Sequence, residues 1–166
     1  TGTIDCSSNS ISDMTGIEAF TSLTSLLCHN NSIGTLNVGT LTALTNLECF
    51  QNSLTAIDLS NNTALTILSI RENQLTSLDV SNNIDLLYIY CYGNSISSLN
   101  LNGMVNLLSL GCANNQLTSL DVSNLMKLKH LNCSNNQLNI LNLKNNNIIW
   151  SIPANGINGQ NLNFQN

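Results

Sequence analysis

Apolar positions recur along the chain with a period of 21 residues, and within each period they alternate with outward-facing positions. Leu47 and Cys49, separated by Glu48, are one example. A period of two is typical of a β-strand, because successive strand side chains point to opposite faces, so Leu47 and Cys49 are predicted to point inward. Ten residues later, Ile57 and Leu59 flank Asp58, which predicts a second short extended segment in each coil. A helical stripe appears at most between residues 13 and 27.

The repeat divides the chain into seven full units and an incomplete one, within a single domain that spans 1–166. An irregular first unit, 1–22, is followed by units at 23–43, 44–64, 65–85, 86–106, 107–127 and 128–148. Residues 149–166 are predicted to be a degenerate half repeat and a tail. The ninth position of every full unit is asparagine: Asn9, Asn31, Asn52, Asn73, Asn94, Asn115 and Asn136. Internal repeats of this length are typical of solenoids.

Cysteine occupies the sixth position of six units, namely Cys6, Cys28, Cys49, Cys91, Cys112 and Cys133. Ile70 stands at that position in the remaining unit. Because isoleucine can replace cysteine, the cysteines serve at the sixth position as small apolar side chains. Neighbouring cysteines in a parallel ladder fit disulfide geometry poorly. We therefore expect six buried, reduced thiols. The absence of C-x-x-C argues against a zinc site.

The motif L-x-x-L-x-C-x-x-N-x-L, found at 44–54, resembles the leucine-rich repeat. The continuation L-T-x-L-D-V-S-N-N at 75–83 is similar to a short bacterial class of that family, and NSISDMTGIEAFTSL at 9–23 resembles its internalin-like form. The resemblance implies a β-rich, right-handed solenoid with a parallel sheet on the concave face and little or no helix. It also implies that the repeated asparagine closes the turn after each strand, and that the protein is a secreted or cell-surface bacterial one.

Composition narrows the possible partners. The net charge is −5 with only four Lys and Arg residues, which argues against binding to nucleic acid or to an anionic membrane surface. No stretch approaches the roughly 20 apolar residues of a membrane span.

Solenoids need polar caps on their terminal coils, and the chain opens inside a repeat, so we expect it to be a piece of a longer protein. We expect a monomer that needs no cofactor and binds no metal.

The candidate binding residues are those that depart from the repeat at outward positions of the sheet. All three tyrosines lie on one predicted strand, in the segment YIYCYG: Tyr88, Tyr90 and Tyr92. The neighbouring units add Phe50, Arg71, Glu48, Glu72, Ile67 and His29, whereas the last two full units present small side chains such as Ser109, Gly111 and Ala113. Exposed aromatic residues with an arginine are typical of binding hot spots. We therefore predict a non-enzymatic module that binds a protein or peptide on its concave face.

Two other functions stay open at this point. Tyrosine and phenylalanine rings can stack on sugars through their apolar faces, which would make Tyr88, Tyr90, Tyr92 and Phe50 a glycan-binding surface. Tyrosine is also favoured in strands for structural reasons, so the domain could be a spacer within a larger surface protein.

Catalysis and calcium binding have less support. Glu48 and Glu72 could form the carboxylate pair of a glycosidase, but the neighbouring Arg71 would keep both ionised. No G-x-S-x-G elbow occurs. The Asp58, Asp79 and Asp121 column is interrupted by Asn37, Asn100 and Asn142. This exchange of Asp and Asn favours turn hydrogen bonds over a calcium site.

Overall fold

The computed structural model describes residues 2–144, which form a solenoid around a seven-stranded parallel sheet. The strands of this sheet are β1 (Thr3–Asp5), β2 (Ser25–Leu27), β3 (Asn46–Glu48), β4 (Ile67–Ser69), β5 (Tyr88–Tyr90), β6 (Ser109–Gly111) and β8 (His130–Asn132). A second sheet pairs β7 (Ser119–Asp121) with β9 (Ile140–Asn142). The predicted fold class is confirmed. The predicted half repeat and tail at 149–166 lie outside the described residues.

Helical structure in the described part of the chain is limited to one 3-10 turn, Ile17–Ala19, between β1 and β2. This agrees with the prediction of little or no helix. No helix between residues 2 and 144 is long and apolar enough to cross a membrane. The second extended segment is a strand only in the coils that contain β7 and β9, and Ile57–Leu59 is irregular.

Adjacent strands pair in register, so equivalent positions of successive units lie side by side. Asn46 pairs with Ile67, and Ile67 pairs with Tyr88. In the same way Ser69 pairs with Tyr90, and Tyr90 pairs with Gly111. Each column of the aligned repeats thus becomes a continuous row of side chains across the sheet, one residue per coil, at about 4.8 Å spacing.

The core is built from the inward rows. The middle residues of β2 to β6 and of β8 are at most 1% exposed: Leu26, Leu47, Leu68, Ile89, Leu110 and Leu131. The next inward row contains the cysteines, and Ile70 is fully buried among them. All six thiols are free, and five are buried. Cys6 is only half-buried, unlike the prediction, because in the described residues a neighbouring coil covers it on one side only.

The asparagine row joins successive coils. Asn73 donates its Nδ2 to the carbonyls of Ile70 and Arg71 in its own coil and of Cys49 in the preceding one, at 3.0–3.3 Å. Its Oδ1 accepts a hydrogen bond from the backbone N–H of Leu54. Equivalent bonds are made by Asn31, Asn52, Asn94, Asn115 and Asn136. The predicted turn closure is confirmed, and the same side chain also cross-links neighbouring coils by satisfying their backbone groups.

Candidate binding surface on the concave sheet

Four of the predicted site residues form a continuous stack just beyond the strand ends: His29, Phe50, Arg71 and Tyr92, here called the stacked row. The His29 and Phe50 rings are nearly parallel, at 6°, with centroids 4.2 Å apart. The Arg71 guanidinium carbon lies 3.5 Å from the Phe50 centroid. These residues occupy the same position in successive units, so the in-register pairing of the strands places them side by side.

Arg71 is held by contacts with its neighbours. Its Nη1 donates a 3.0 Å hydrogen bond to the Tyr92 hydroxyl, and its guanidinium carbon is 5.5 Å from the Tyr92 ring centroid. Nη1 also lies 3.8 Å from Oε1 of Glu72. A guanidinium between two rings gains cation–π attraction while its planar group stays stacked. The Arg71 guanidinium therefore interacts mainly with groups of the protein itself.

Phe50 differs from the sequence prediction. It was expected to be exposed, yet it is 8% exposed, because His29 covers it from the preceding coil and Arg71 from the following one. A ring covered in this way offers no face on which a sugar could stack. Phe50 instead acts as the support that positions His29 and Arg71.

The tyrosines of β5 point away from the core, as strand alternation requires, since Ile89 and Cys91 between them are at most 1% exposed. Tyr88 and Tyr90 are half-buried. The Tyr90 ring lies over Gly111 of the next strand: a Cβ built on that glycine would be 3.1 Å from Cδ1 of Tyr90 and 3.7 Å from Cδ1 of Tyr92. Gly111 thus provides the space in which both rings rest.

Gly111 was assigned by sequence reasoning to the plain part of the face, and its role was missed. A signal existed, because glycine is unfavourable in a strand unless another group approaches closely. In the 21-residue alignment Gly111 stands directly after Tyr90 in the row, and the register pairs them.

The carboxylates of the face each have a separate partner. Glu48 on β3 accepts a 3.3 Å hydrogen bond from Nδ2 of Asn46, and Glu72 accepts one of 2.6 Å from Nε2 of Gln51. Glu72 lies in the left-handed region at φ 54°. On β1, hydrogen bonds from the Ser7 hydroxyl and backbone N–H lower the pKa of Asp5, which is fully exposed. Asp5 was not among the predicted site residues.

The remaining predicted residues lie beside the stacked row. Ile67 is half-buried on β4 and is paired in register between Asn46 and Tyr88. The Nδ1 of His29 is buried without a hydrogen-bond partner. The structure thus brings His29, Phe50, Arg71, Tyr92 and Glu72 into direct contact, while Glu48, Ile67 and Tyr88 share the strands of the same region. Within residues 2–144, no three His, Cys, Asp or Glu side chains gather as a metal site would require.

The aspartate column makes the turn hydrogen bonds that were predicted. Oδ1 of Asp58, Asp79 and Asp121 accepts a 2.9 Å bond from the backbone N–H of the serine two residues later. The backbone N–H and then the hydroxyl of the serine lower the pKa of Asp58 and Asp79, whereas the Ser123 hydroxyl is the larger cause of the lowered pKa of Asp121. The column is therefore part of the scaffold on the side of the coil away from the main sheet strands.

Comparison with known proteins agrees with this architecture. No family model and no curated protein match the chain. Among solved structures, the functional domain of InlJ from Listeria monocytogenes, described as including a cysteine ladder, is 30% identical, with a TM-score of 0.55 over 90% of this chain and 45% of that one. An internalin, InlF, from the same organism is 28% identical, with a TM-score of 0.75 over 88% of this chain and 48% of that one.

A third match is the leucine-rich-repeat ectodomain of the plant membrane receptor kinase GASSHO1/SCHENGEN3 from Arabidopsis thaliana. It is 26% identical, with a TM-score of 0.67 over 82% of this chain and 20% of that one. The chain spans less than half the length of each of these three proteins. The 21-residue coils, the asparagine row and these matches together show a leucine-rich-repeat solenoid that is similar to those of the internalins.

Proposed function

We propose that this domain is a non-enzymatic protein-interaction module that binds a protein or peptide through its concave sheet, within a secreted or cell-surface bacterial protein. The structural neighbours support the general role. They include internalins of Listeria monocytogenes and a plant receptor ectodomain solved in complex with CASPARIAN STRIP INTEGRITY FACTOR 2. The single observation that carries the proposal is the gathering of Tyr88, Tyr90 and the stacked row on one part of the face, next to the small residues Ser109, Gly111 and Ala113.

The surface is suited to a macromolecular partner because its large side chains are already ordered. Tyr90 rests on Gly111, and Tyr92 is held by the Arg71 hydrogen bond. Ordering side chains on binding costs about 0.5–1.5 kcal/mol for each mobile one, so groups held in place beforehand bind with less loss. Tyrosine and arginine are also the residues most enriched among binding hot spots.

The position of the tyrosines on the sheet agrees with a role in binding a partner. Beyond β5 the sheet carries Ser109, Gly111 and Ala113, which are buried beneath or beside the tyrosines rather than presented as a flat polar surface. The large aromatic side chains of β5 therefore lie next to small, buried residues of the following coil. We take Tyr90 as the centre of the proposed surface, with Tyr88 and Tyr92 on either side.

The proposal is tested by capture from a lysate of neighbouring cells in parallel with a glycan array, using immobilised wild-type chain and Tyr90→Ala. We expect one or more proteins to be retained by the wild type and lost with Tyr90→Ala. The control is Ser134→Ala. Ser134 follows β8 on the same face, and this variant should retain the captured proteins. Capture that is equal for wild type and Tyr90→Ala, or a glycan signal that depends on Tyr90 without any captured protein, would contradict the proposal.

A further inference from the structure

On the sheet face, the negative charges are more available to a partner than the positive charge. The carboxylates of Asp5, Glu48 and Glu72 lie on or beside β1, β3 and β4, and Asp5 and Glu72 are exposed. The one arginine of the protein, Arg71, lies among them. Its side chain is 24% exposed and is already in contact with Phe50, Tyr92 and Glu72.

The lysines of the described residues lie elsewhere. Lys127 and Lys129 come just before β8, and Lys144 follows β9 of the second sheet. Lys127 donates its Nζ to Oδ1 of Asn106. In the sheet β8 is four strands from β3 and two strands from β5, which is roughly 19 Å and roughly 10 Å at the usual strand spacing. Both separations exceed the screening length of about 8 Å at physiological salt. A partner over β3–β5 therefore meets carboxylates without a free lysine or arginine of residues 2–144 within that length.

The tyrosines add a second feature that favours cations. The faces of tyrosine rings attract ammonium and guanidinium groups within about 6 Å of the ring centroid. Within the protein Arg71 already uses the Phe50 ring and the Tyr92 ring in this way. Tyr88 and Tyr90, four and two residues before Tyr92 in the same coil, are half-buried with part of each side chain open to solvent.

From these observations we infer that the partner presents lysine or arginine side chains to the surface formed by Glu48, Glu72, Tyr88 and Tyr90. This inference rests on the proposed function and specifies the chemistry of its ligand. Cationic side chains would lie beside the carboxylates and against the tyrosine rings. An acidic segment would meet the same carboxylates with no available cation to offset the repulsion.

The experiment is selection of a phage-displayed random heptapeptide library against the intact chain, followed by affinity measurement of the selected peptides at 0.15 M and at about 0.5 M salt. Three variants accompany the wild type: Tyr90→Ala, Glu48→Gln/Glu72→Gln, and Asp58→Asn/Asp79→Asn. The last pair removes the same number of charges from the aspartate column. Asparagine is compatible with that turn, because Asn100 and Asn142 make the same bond there.

We expect the selected peptides to be enriched at least twofold in Lys and Arg over the starting library. Their affinity should fall about tenfold with Glu48→Gln/Glu72→Gln, remain within about twofold with Asp58→Asn/Asp79→Asn, and weaken at the higher salt. Neutral or acidic peptides that depend on Tyr90 would overturn this inference and leave the proposed function standing. Basic peptides that bind Glu48→Gln/Glu72→Gln as tightly as wild type would also overturn it. Failure to select any Tyr90-dependent peptide would overturn both.

Discussion

The Arg71 guanidinium carbon lies 3.5 Å from the centre of the Phe50 ring, one coil away. Through this contact a core-like aromatic residue fixes the position of the single arginine, and the arginine in turn holds the Tyr92 hydroxyl at 3.0 Å. The stacked row is therefore both part of the scaffold and part of the proposed binding surface. Its two roles can be separated by measuring stability and affinity on the same variants.

Replacing Arg71 with alanine should lower the free energy of unfolding by about 1–2 kcal/mol, because a partly desolvated cation–π contact and a hydrogen bond are lost. Arg71→Lys should recover less than half of this loss, since an ammonium cannot stack as a plane or reach Tyr92 in the same geometry. Urea unfolding measures both. Lys127→Ala is the control, with an expected change below about 0.5 kcal/mol. An Arg71→Ala protein as stable as wild type would show that the stack is incidental.

Replacing Gly111 with alanine tests whether this residue positions the tyrosines. The new Cβ would lie 3.1 Å from Cδ1 of Tyr90, so the ring has to move, while the extended backbone there accepts alanine. We expect the tyrosine ring NMR signals to shift and partner affinity to fall by about 1 kcal/mol, roughly fivefold. Stability should change little. Gly34→Ala is the matched control, because a Cβ at Gly34 meets no atom within 4 Å; unchanged Tyr90 signals in Gly111→Ala would contradict the assignment.

The asparagine row should dominate local stability. Asn73→Ala removes four hydrogen bonds and leaves the Leu54 N–H buried without its acceptor, so we expect a loss of about 2–3 kcal/mol, although the three carbonyls each keep one other donor. Asn82, in the same unit, is exposed and makes one 3.4 Å bond to the Ser60 carbonyl. Asn82→Ala should therefore cost less than about 1 kcal/mol. Equal unfolding midpoints for the two variants would refute the cross-linking role.

Burial raises the pKa of the Cys28 and Cys91 thiols to about 12, so the folded protein keeps them protonated at mildly alkaline pH. Unfolded thiols ionise near pH 8.5. The unfolded chain then binds fewer protons than the folded one, and stability should fall as pH rises from about 8.5 toward 12. Cys91→Val should flatten this decline relative to wild type, as measured by urea unfolding across that range. An unchanged slope would contradict the burial argument.

The same burial predicts how the thiols react. At pH 8 a thiol reagent should modify Cys6 first, since it is half-buried, and the other five slowly or not at all. All six should react once the protein is unfolded in urea. Fewer than six reactive thiols after unfolding, without added reductant, would reveal a disulfide.

The sequence predicted most of the fold because phase alone determines which side chains point inward. The cysteine column, its Ile70 interruption and the asparagine row all follow from the position of each residue within its unit. The burial of Phe50 and the role of Gly111 do not, because each depends on which residue stands 21 positions before or after it. His29 and Arg71 together bury Phe50, and Tyr90 needs the missing side chain of Gly111. Reading the aligned units across each row, rather than along each unit, would have brought these residues together.

The most direct test of the proposed binding surface is the affinity of Tyr90→Ala for the captured partner, measured by biolayer interferometry together with its thermal unfolding. Tyr90 faces away from the core, and its ring lies over Gly111 of the next strand. We therefore predict a nearly unchanged melting temperature and a loss of about 2 kcal/mol in binding, roughly thirtyfold, as expected for a hot-spot tyrosine. A lowered melting temperature with the affinity of the folded fraction intact would instead show that the tyrosines serve sheet packing and that the partner binds elsewhere.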